Sequence, residues 1–447
     1  MTIMGRDTLR TYFQPAIESI TEEEIAKYSQ STLLDREQLI KKLIQFKVRY
    51  AIFSHRWFGT GEPTYQDMSK GKVPDGPGYK KLKEFCKKAK EFGCDFVWSD
   101  TCCIDKTSSA ELDEAIRSMF RWYRGSHICI AYLADSSSIA DFEKEAWFKR
   151  GWTLQELLAP VKLKFYGKGW VPLSRAENDK GNGRDNRIMD AISTFTRIPI
   201  SDLISFQPRT DRVREKMSWA STRRTTKVED VAYSLIGIFD VSLMVAYGEG
   251  RRAFFRLLET IVQQSNGLDI FQWKGEPSPH NIALPSSPRC YPYRGDRGFA
   301  LRPDRTGDQF FALTNIGLRI KLLIIPVSCQ RTSGIESGGL DLASIIARGP
   351  KSIFKHETLE DVVVLADVPN PRGYNGVNWA LGIIDYWHTL SDEKGRVAAE
   401  TGITPYTAFL LYNHQLDLRW KKVRVDEIIE VRATQDLEKN LEVVYLK

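Results

Sequence analysis

KVRYAIFSH (47–55) is a run of apolar and aromatic residues that ends in polar Ser54 and His55, and its surroundings decide the fold. A Gly/Pro-rich loop from Gly59 to Gly78 follows it and runs into YKKLKEFCKKAKEF (79–92). There Leu82, Phe85, Cys86 and Ala89 make one helical stripe and lysines the other face. Strand, loop and helix form the opening of a βαβ unit, and the pattern recurs downstream. DFVWSD (95–100) reads as a second strand. SSAE (108–111) is a capping box opening a helix whose apolar positions Leu112, Ala115, Ile116, Met119, Phe120 and Tyr123 keep near 3.6 periodicity. HICIAYLAD (127–135) is a third strand, 152–158 a short helix and KLKFYG (162–167) a fourth strand. Short buried strands alternating with helices predict an α/β domain, a parallel sheet with helices on both faces. Ligands of such sheets bind beyond the carboxyl ends of the strands. Those ends are Ser54-His55-Arg56-Trp57, Ser99-Asp100-Thr101 and Ala134-Asp135.

Around this α/β domain, assigned to 48–174, residues 1–47 form a helical, polar lead-in in which Asp35 caps a helix over 36–46. RAENDKGNGRDNR (175–187) reads as a surface loop, TKVE (226–229) as a second capping box opening a helix to about Phe239, YGEG (247–250) as a turn and RRAFFRLLETIVQQ (251–264) as a helix. The segment 175–274 is therefore a helical extension expected to pack on the sheet domain, and 275–289 a linker. From 290 to 447 strand candidates dominate (FFALTNIGLRIKLLII, DVVVLAD, TAFLLYN, KVRVDEIIEVRA and LEVVYLK), which predicts a mostly β domain, a sandwich.

A chain of 447 residues that is 42% hydrophobic is long enough for two or three domains with real cores. The N-terminus has no apolar targeting segment, and runs such as LLIIPV (322–327) fall far short of the roughly 20 residues that span a bilayer. The seven cysteines include no C-x-x-C pair, which fits reduced thiols and a cytoplasmic location with no membrane partner. Net charge of +7 is mild, no nucleic-acid motif accompanies it, and the lysine-rich helix reads as a solvated face.

The candidate chemistry narrows quickly. Gly-x-Gly turns at 59–61, 167–169 and 181–183 match neither phosphate-loop nor dinucleotide fingerprints. Neither Cys86 with Cys94 nor Cys102 with Cys103 has a histidine at zinc spacing. Cys102 or Cys103 could meet His55 above the sheet as a hydrolase dyad, or simply fill core space. In WFKRGWTLQELLAP (147–160), Glu156 stands four residues after Trp152 on one helical face, just behind Arg150 and Gly151. It is either a delivered carboxylate or an ordinary glutamate, exposed or paired with Arg150, on an otherwise packed helix.

YAIFSHRWFGTGEPTYQDM (50–68), FVWSDTCCIDKTSSAELDEAIRSMFRWY (96–123) with ICIAYLAD (128–135), and WFKRGWTLQELLAP (147–160) together resemble the heterokaryon-incompatibility (HET) domain of fungal proteins. WASTRRTTKVEDVAYSLIGIFDVSLMVAYGEGRRAFFRLLETI (219–261) is similar to the extension that follows this domain in many fungal members. The resemblance implies a role in non-self recognition and cell death, and a distant kinship to TIR domains with their flavodoxin-like sheet. In enzymatic TIR domains a glutamate in a W-x-x-x-E context cleaves NAD at the nicotinamide–ribose bond, and WTLQE (152–156) has that spacing. The implied site has Glu156 as the catalytic residue, and Ser54, His55, Arg56, Trp57, Asp100, Arg150 and Trp152 as substrate-binding residues. NAD or a related nucleotide is then substrate rather than cofactor, and self-association or another protein is the activator. One carboxylate suffices because the nicotinamide ring already carries the positive charge and departs neutral, whereas ordinary glycosides need an acid as well. The rival expectation is a non-enzymatic signalling or assembly module on the same sheet.

Overall fold

The structure, a computed structural model, describes residues 2–29, 35–71, 75–181, 187–293, 311–331, 351–356, 359, 362–365, 377–384, 406–414, 419–432 and 441–446. Most of the third glycine turn, at 182–183, and the ends of the strand expected over 361–367 lie outside the described residues. Packing divides the chain into two units, 1–209 with 223–246 and 210–222 with 247–447.

The first unit opens with helices α1 (Arg6–Glu18), α2 (Glu22–Ser29) and α3 (Arg36–Lys47). Asp35 accepts the Gln38 N–H at 2.9 Å as expected of an N-cap. Ile25, Leu39 and Leu43 bury against one another. On α1, Tyr12 and Phe13 set their rings 5.0 and 4.8 Å from that of Phe96, which begins the second strand. That contact lies at the amino end of the strand, away from the ligand side of the sheet.

The α/β core follows as β1 (Tyr50–His55), α4 (Tyr65–Ser69), α5 (Pro77–Glu91), β2 (Phe96–Trp98), α6 (Ser109–Gly125), β3 (Ile128–Tyr132), α7 (Thr153–Leu158) and β4 (Leu163–Tyr166). All four strands are parallel, in the order β2–β1–β3–β4. Four parallel strands with helices between them agree with the sequence expectation. Because β1 and β3 are neighbours but not consecutive, their connections leave in opposite directions, and the crevice between their carboxyl ends is the topological switch point. Alternation along β1 shows the two covering layers. Phe53 stacks on Phe85 of α5 with ring centroids 4.3 Å apart, whereas Ser54, next in the chain, points to the opposite face and meets α7. Ser108 caps α6 through the Glu111 N–H at 3.3 Å, but Glu111 turns its carboxylate to the Asp105 N–H at 2.9 Å, so only half of the expected capping box forms.

Helices α8 (Arg187–Thr196) and α9 (Ile200–Ser205) continue the first unit, and α10 (Val213–Ala220) belongs to the second. In the first unit again, α11 (Asp230–Tyr233) and α12 (Ile236–Phe239) stand where one helix to Phe239 was expected. A break at Ser234 and Leu235 divides them.

The second unit contains α10, α13 (Arg252–Gln264) and strands β5 (Phe311–Thr314), β6 (Gly317–Pro326), β7 (Ser328–Arg331), β8 (Lys351–Lys355), β9 (Val362–Leu365), β10 (Val377–Ile383), β11 (Tyr406–His414), β12 (Lys421–Lys422), β13 (Ile429–Val431) and β14 (Leu441–Leu446). These strands pair antiparallel and yield a sheet with the path β12–β11–β10–β6–β14, extended by β13 and β5, and a second sheet β7–β8–β9. Leu323, Phe354, Leu381, Leu410 and Val431 share one core. The 275–289 stretch, read as a linker for its prolines, is packed into this unit: Ala283 and Leu284 are buried and Gly275 N–H donates to Val425 O at 2.7 Å. Its prolines shape turns rather than a free spacer. Likewise 247–274 joins the β unit instead of the sheet domain, with Phe271 set edge-on to Phe311 and Phe409.

Candidate active site

Glu156 projects from α7 toward the carboxyl end of β1. It is buried at 6% exposure, and its Oε2 accepts the Ser54 hydroxyl at 2.6 Å. Ser54 Oγ in turn accepts the Trp147 indole N–H at 2.9 Å. Tyr123, rising from α6, donates to Phe53 O at 2.9 Å and adds a hydroxyl beside the carboxylate. Burial first, then the neighbouring Asp100 charge, raises the Glu156 pKa from 4.5 to about 8 against the opposing effects of Ser54, Arg150 and Tyr123. A carboxyl in this setting is mostly protonated at neutral pH and ionises when a positive charge arrives beside it.

Trp147 is the indole that reaches the pair, whereas Trp152 is joined to Glu156 by backbone, its carbonyl accepting the Glu156 N–H at 3.4 Å. The i to i+4 reading made Trp152 the partner because it weighed only residues inside the helix. Trp147 sits in a preceding turn held by Glu145, whose carboxylate accepts from Trp147 N–H at 3.2 Å and from Ser136 Oγ at 2.8 Å. Trp147→Phe keeps ring packing against Phe148 and Phe165 but removes the N–H. It is expected to cost about 1 kcal/mol of stability, read from urea unfolding, and the loss should shrink in a Ser54→Ala background.

At the carboxyl ends, the strands are cross-tied. Arg56 pairs with Asp135 at 2.8 Å, bridging the ends of β1 and β3, and its buried Nε has no hydrogen-bond partner among the described residues. Trp57 donates its indole N–H to Asp100 at 2.9 Å, bridging β1 and β2. Lys106 closes that corner: its amine donates to Asp100 O at 2.6 Å and Thr101 O at 2.8 Å, and lies 4.9 Å from the Trp57 ring centroid. Lys81 of α5 pairs with Glu62 and donates to Arg56 O at 3.0 Å. Arg56 and Asp100, both expected to bind substrate, thus already have protein partners.

His55 lies on the face of β1 opposite Ser54, its ring 4.0 Å from that of Phe53. Both ring nitrogens are buried without a hydrogen-bond partner among the described residues. Burial first, then the charges of Lys81, Arg150 and Lys106, hold its pKa well below 6.5, so the imidazole is neutral. A Cys–His dyad is therefore not assembled. Cys102 is buried and its thiol is pushed up by its neighbour Cys103 and by burial, whereas the Cys103 thiol is lowered first by its hydrogen bond with Cys102 and not by an imidazole. Among the described residues no cluster of His, Cys, Asp or Glu is suited to a metal ion. In the same residues no helix is long and apolar enough to cross a membrane.

Why a glycine follows Arg150 is answered by the chain beyond the sheet. Residues 223–225 run alongside 149–151: Arg224 N–H donates to Lys149 O at 2.7 Å and Gly151 N–H to Arg224 O at 2.8 Å. A Cβ at Gly151 would stand 2.4 Å from Thr225 Cγ2. Arg223, buried beside them, donates from Nη1 to Arg150 O at 2.9 Å and to Thr153 Oγ1 at 3.0 Å. The other end of α7 is held by Lys180, whose buried amine donates to Leu158 O at 3.3 Å and Pro160 O at 2.9 Å. Sequence reasoning missed Trp147, Tyr123, Lys106, Lys180 and Arg223. Only Trp147 carried a local signal, as a second tryptophan in the same motif.

Comparison with known proteins agrees with the motifs. A family model described as heterokaryon incompatibility protein (HET) matches residues 50–142. Vegetative incompatibility protein HET-E-1 of Podospora anserina is 42% identical over 225 residues, which cover 47% of this chain and 16% of that protein. No solved structure matches the chain. The chain thus carries a heterokaryon-incompatibility (HET) domain at residues 50–142.

Proposed function

We propose that this chain serves fungal vegetative incompatibility and that its HET domain is a TIR-like NAD hydrolase in which Glu156 is the catalytic carboxylate. The observation that carries the reading is a buried glutamate, bonded to Ser54, at the carboxyl ends of parallel strands beside a topological switch point. The strand order β2–β1–β3–β4 is that of the first four strands of a flavodoxin-like sheet, which supports the kinship. The reaction is NAD plus water to ADP-ribose, nicotinamide and a proton. The C–N bond breaks with its electron pair passing to the ring nitrogen, and the ribose carbon left electron-poor is steadied by the Glu156 carboxylate until water adds. The cationic ring lowers the pKa of the carboxyl it approaches, so binding itself favours the reactive anion. Trp57, exposed at 38%, offers a ring face, and the partly exposed Arg56 guanidinium offers a donor for a phosphate oxygen.

The test is nicotinamide release from NAD by the purified chain between pH 6 and 9. The rate at low substrate is expected to climb toward a plateau with a midpoint near 8, the value burial imposes on free Glu156. A second reading, a signalling or assembly module without turnover, is favoured by the Arg56–Asp135 and Trp57–Asp100 pairs that already engage the assigned binding groups. Absence of release across that range, in dilute and concentrated protein alike, selects it.

A further inference from the structure

We infer that Arg223, in the segment beyond the family match, is a positioning residue for Glu156, holding the start of α7 and setting a positive charge near the carboxylate. The inference rests on Glu156 being the catalytic group of the proposed reaction. Three observations carry it. Arg223 is buried at 7% exposure, and its Nη1 reaches both Arg150 O and Thr153 Oγ1. Thr153 Oγ1 in turn donates to Trp147 O at 2.5 Å and to Arg150 O at 3.0 Å, so one guanidinium fixes the turn bearing Trp147 and the first residue of the helix bearing Glu156. Glu156 follows Thr153 by one helical turn and therefore lies on the same side of α7. The backbone pairing of Arg224 with Lys149 and Gly151 keeps Arg223 in place.

Electrostatics gives the arrangement a purpose beyond packing. The groups facing Glu156 are Ser54 on β1, Asp100 after β2, Tyr123 on α6, Cys129 on β3, Arg150 before α7, and Arg223. Asp100 resists ionisation of Glu156, and the two arginines favour it. Burial depresses the Arg223 pKa to about 9, a desolvation cost that an apolar side chain of similar size would not incur. The charge is useful where the adjoining carboxyl must become an anion during the reaction.

The experiment follows the Glu156 carboxyl directly, by carbon-13 NMR of protein labelled at glutamate side-chain carboxyls, the resonance assigned by its loss in Glu156→Gln. In Arg223→Met the midpoint is expected to rise by about one pH unit, and nicotinamide release at pH 7 to fall about tenfold and recover as pH is raised. Arg223→Lys should keep the midpoint close to that of the parent. If Arg223→Met does not fold, Arg223→Gln retains donors without charge and carries the same expectation. A folded, uncharged variant with an unchanged midpoint overturns the inference and leaves Arg223 a packing residue. A shifted midpoint in a protein that releases no nicotinamide retains Arg223 as the group positioned on Glu156, and removes the hydrolase reading instead.

Discussion

Glu156→Gln is expected to lower nicotinamide release by roughly a hundredfold to a thousandfold while making the protein more stable above neutral pH. The two effects have one origin. Among the described groups around it, Glu156 is burdened by burial and by Asp100, and only in part relieved by Ser54, Tyr123 and Arg150. An amide of the same shape still accepts from Ser54 but cannot ionise, so it neither steadies a ribosyl cation nor bears the cost of a buried charge. The sign of the pH dependence follows from the raised pKa. Between pH 4.5 and about 8 the folded chain holds a proton on Glu156 that the unfolded chain has released. This group's contribution to stability is therefore complete below 4.5 and lost as pH rises through 8. The melting temperatures of parent and variant should lie close together at pH 5 and separate at pH 9, by the equivalent of a few kcal/mol. Equal turnover by both proteins would remove Glu156 from the chemistry, and a variant less stable at pH 9 would show the carboxylate to be structural.

Much of the sheet was readable because its evidence is local. The strands at 47–55, 127–135 and 162–167 and the helices between the strands are short, periodic and punctuated, and each appears within a few residues of its expected limits. The strand ends likewise delivered Ser54, Arg56, Trp57, Asp100 and Asp135 to one edge of the sheet. Three kinds of information were not in any window of sequence. Which tryptophan meets Ser54 depends on how the turn at 145–150 is folded, and that turn is fixed by Glu145. Which partner each charged strand-end residue takes is a choice among neighbours that only the assembled sheet makes, and Arg56 takes Asp135. Arg223 enters from a segment separated from α7 by three helices, with no pattern of its own to announce it. The unit boundary was misjudged for a similar reason: prolines at 277–288 suggested a spacer, but backbone pairing to Val425 packs that region into the β unit.

Gly151→Ala is expected to destabilise the first unit by about 2–3 kcal/mol and to depress turnover more than any exposed substitution at the strand ends. Its φ is not in the left-handed region, so the requirement is spatial rather than conformational. The added methyl would lie 2.4 Å from Thr225 Cγ2 and 3.4 Å from Ser234 Oγ, and relief requires 224–225 to move away from 149–151. That movement breaks the Gly151–Arg224 pairing and draws Arg223 from Thr153, so Glu156 loses its register with Ser54. Thr225→Ser removes the offending methyl and keeps the hydroxyl that donates to Lys227 O. The double variant should recover about 1 kcal/mol or more of the loss by chemical denaturation and a matching part of the activity. Additivity of the two substitutions would show that the close approach is not the reason for the glycine.

The strip of backbone joining 149–151 to 223–225 also bears on how such a module could be moved between proteins. A transplant cut where the fourth strand ends would carry the three motifs of the sheet domain yet leave behind the guanidinium and the clasp that orient the helix bearing Glu156. The segment shared with the Podospora relative, 225 residues, is more than twice as long as the 50–142 family match. Recombination that respected the chemistry would have to inherit sheet and clasp together.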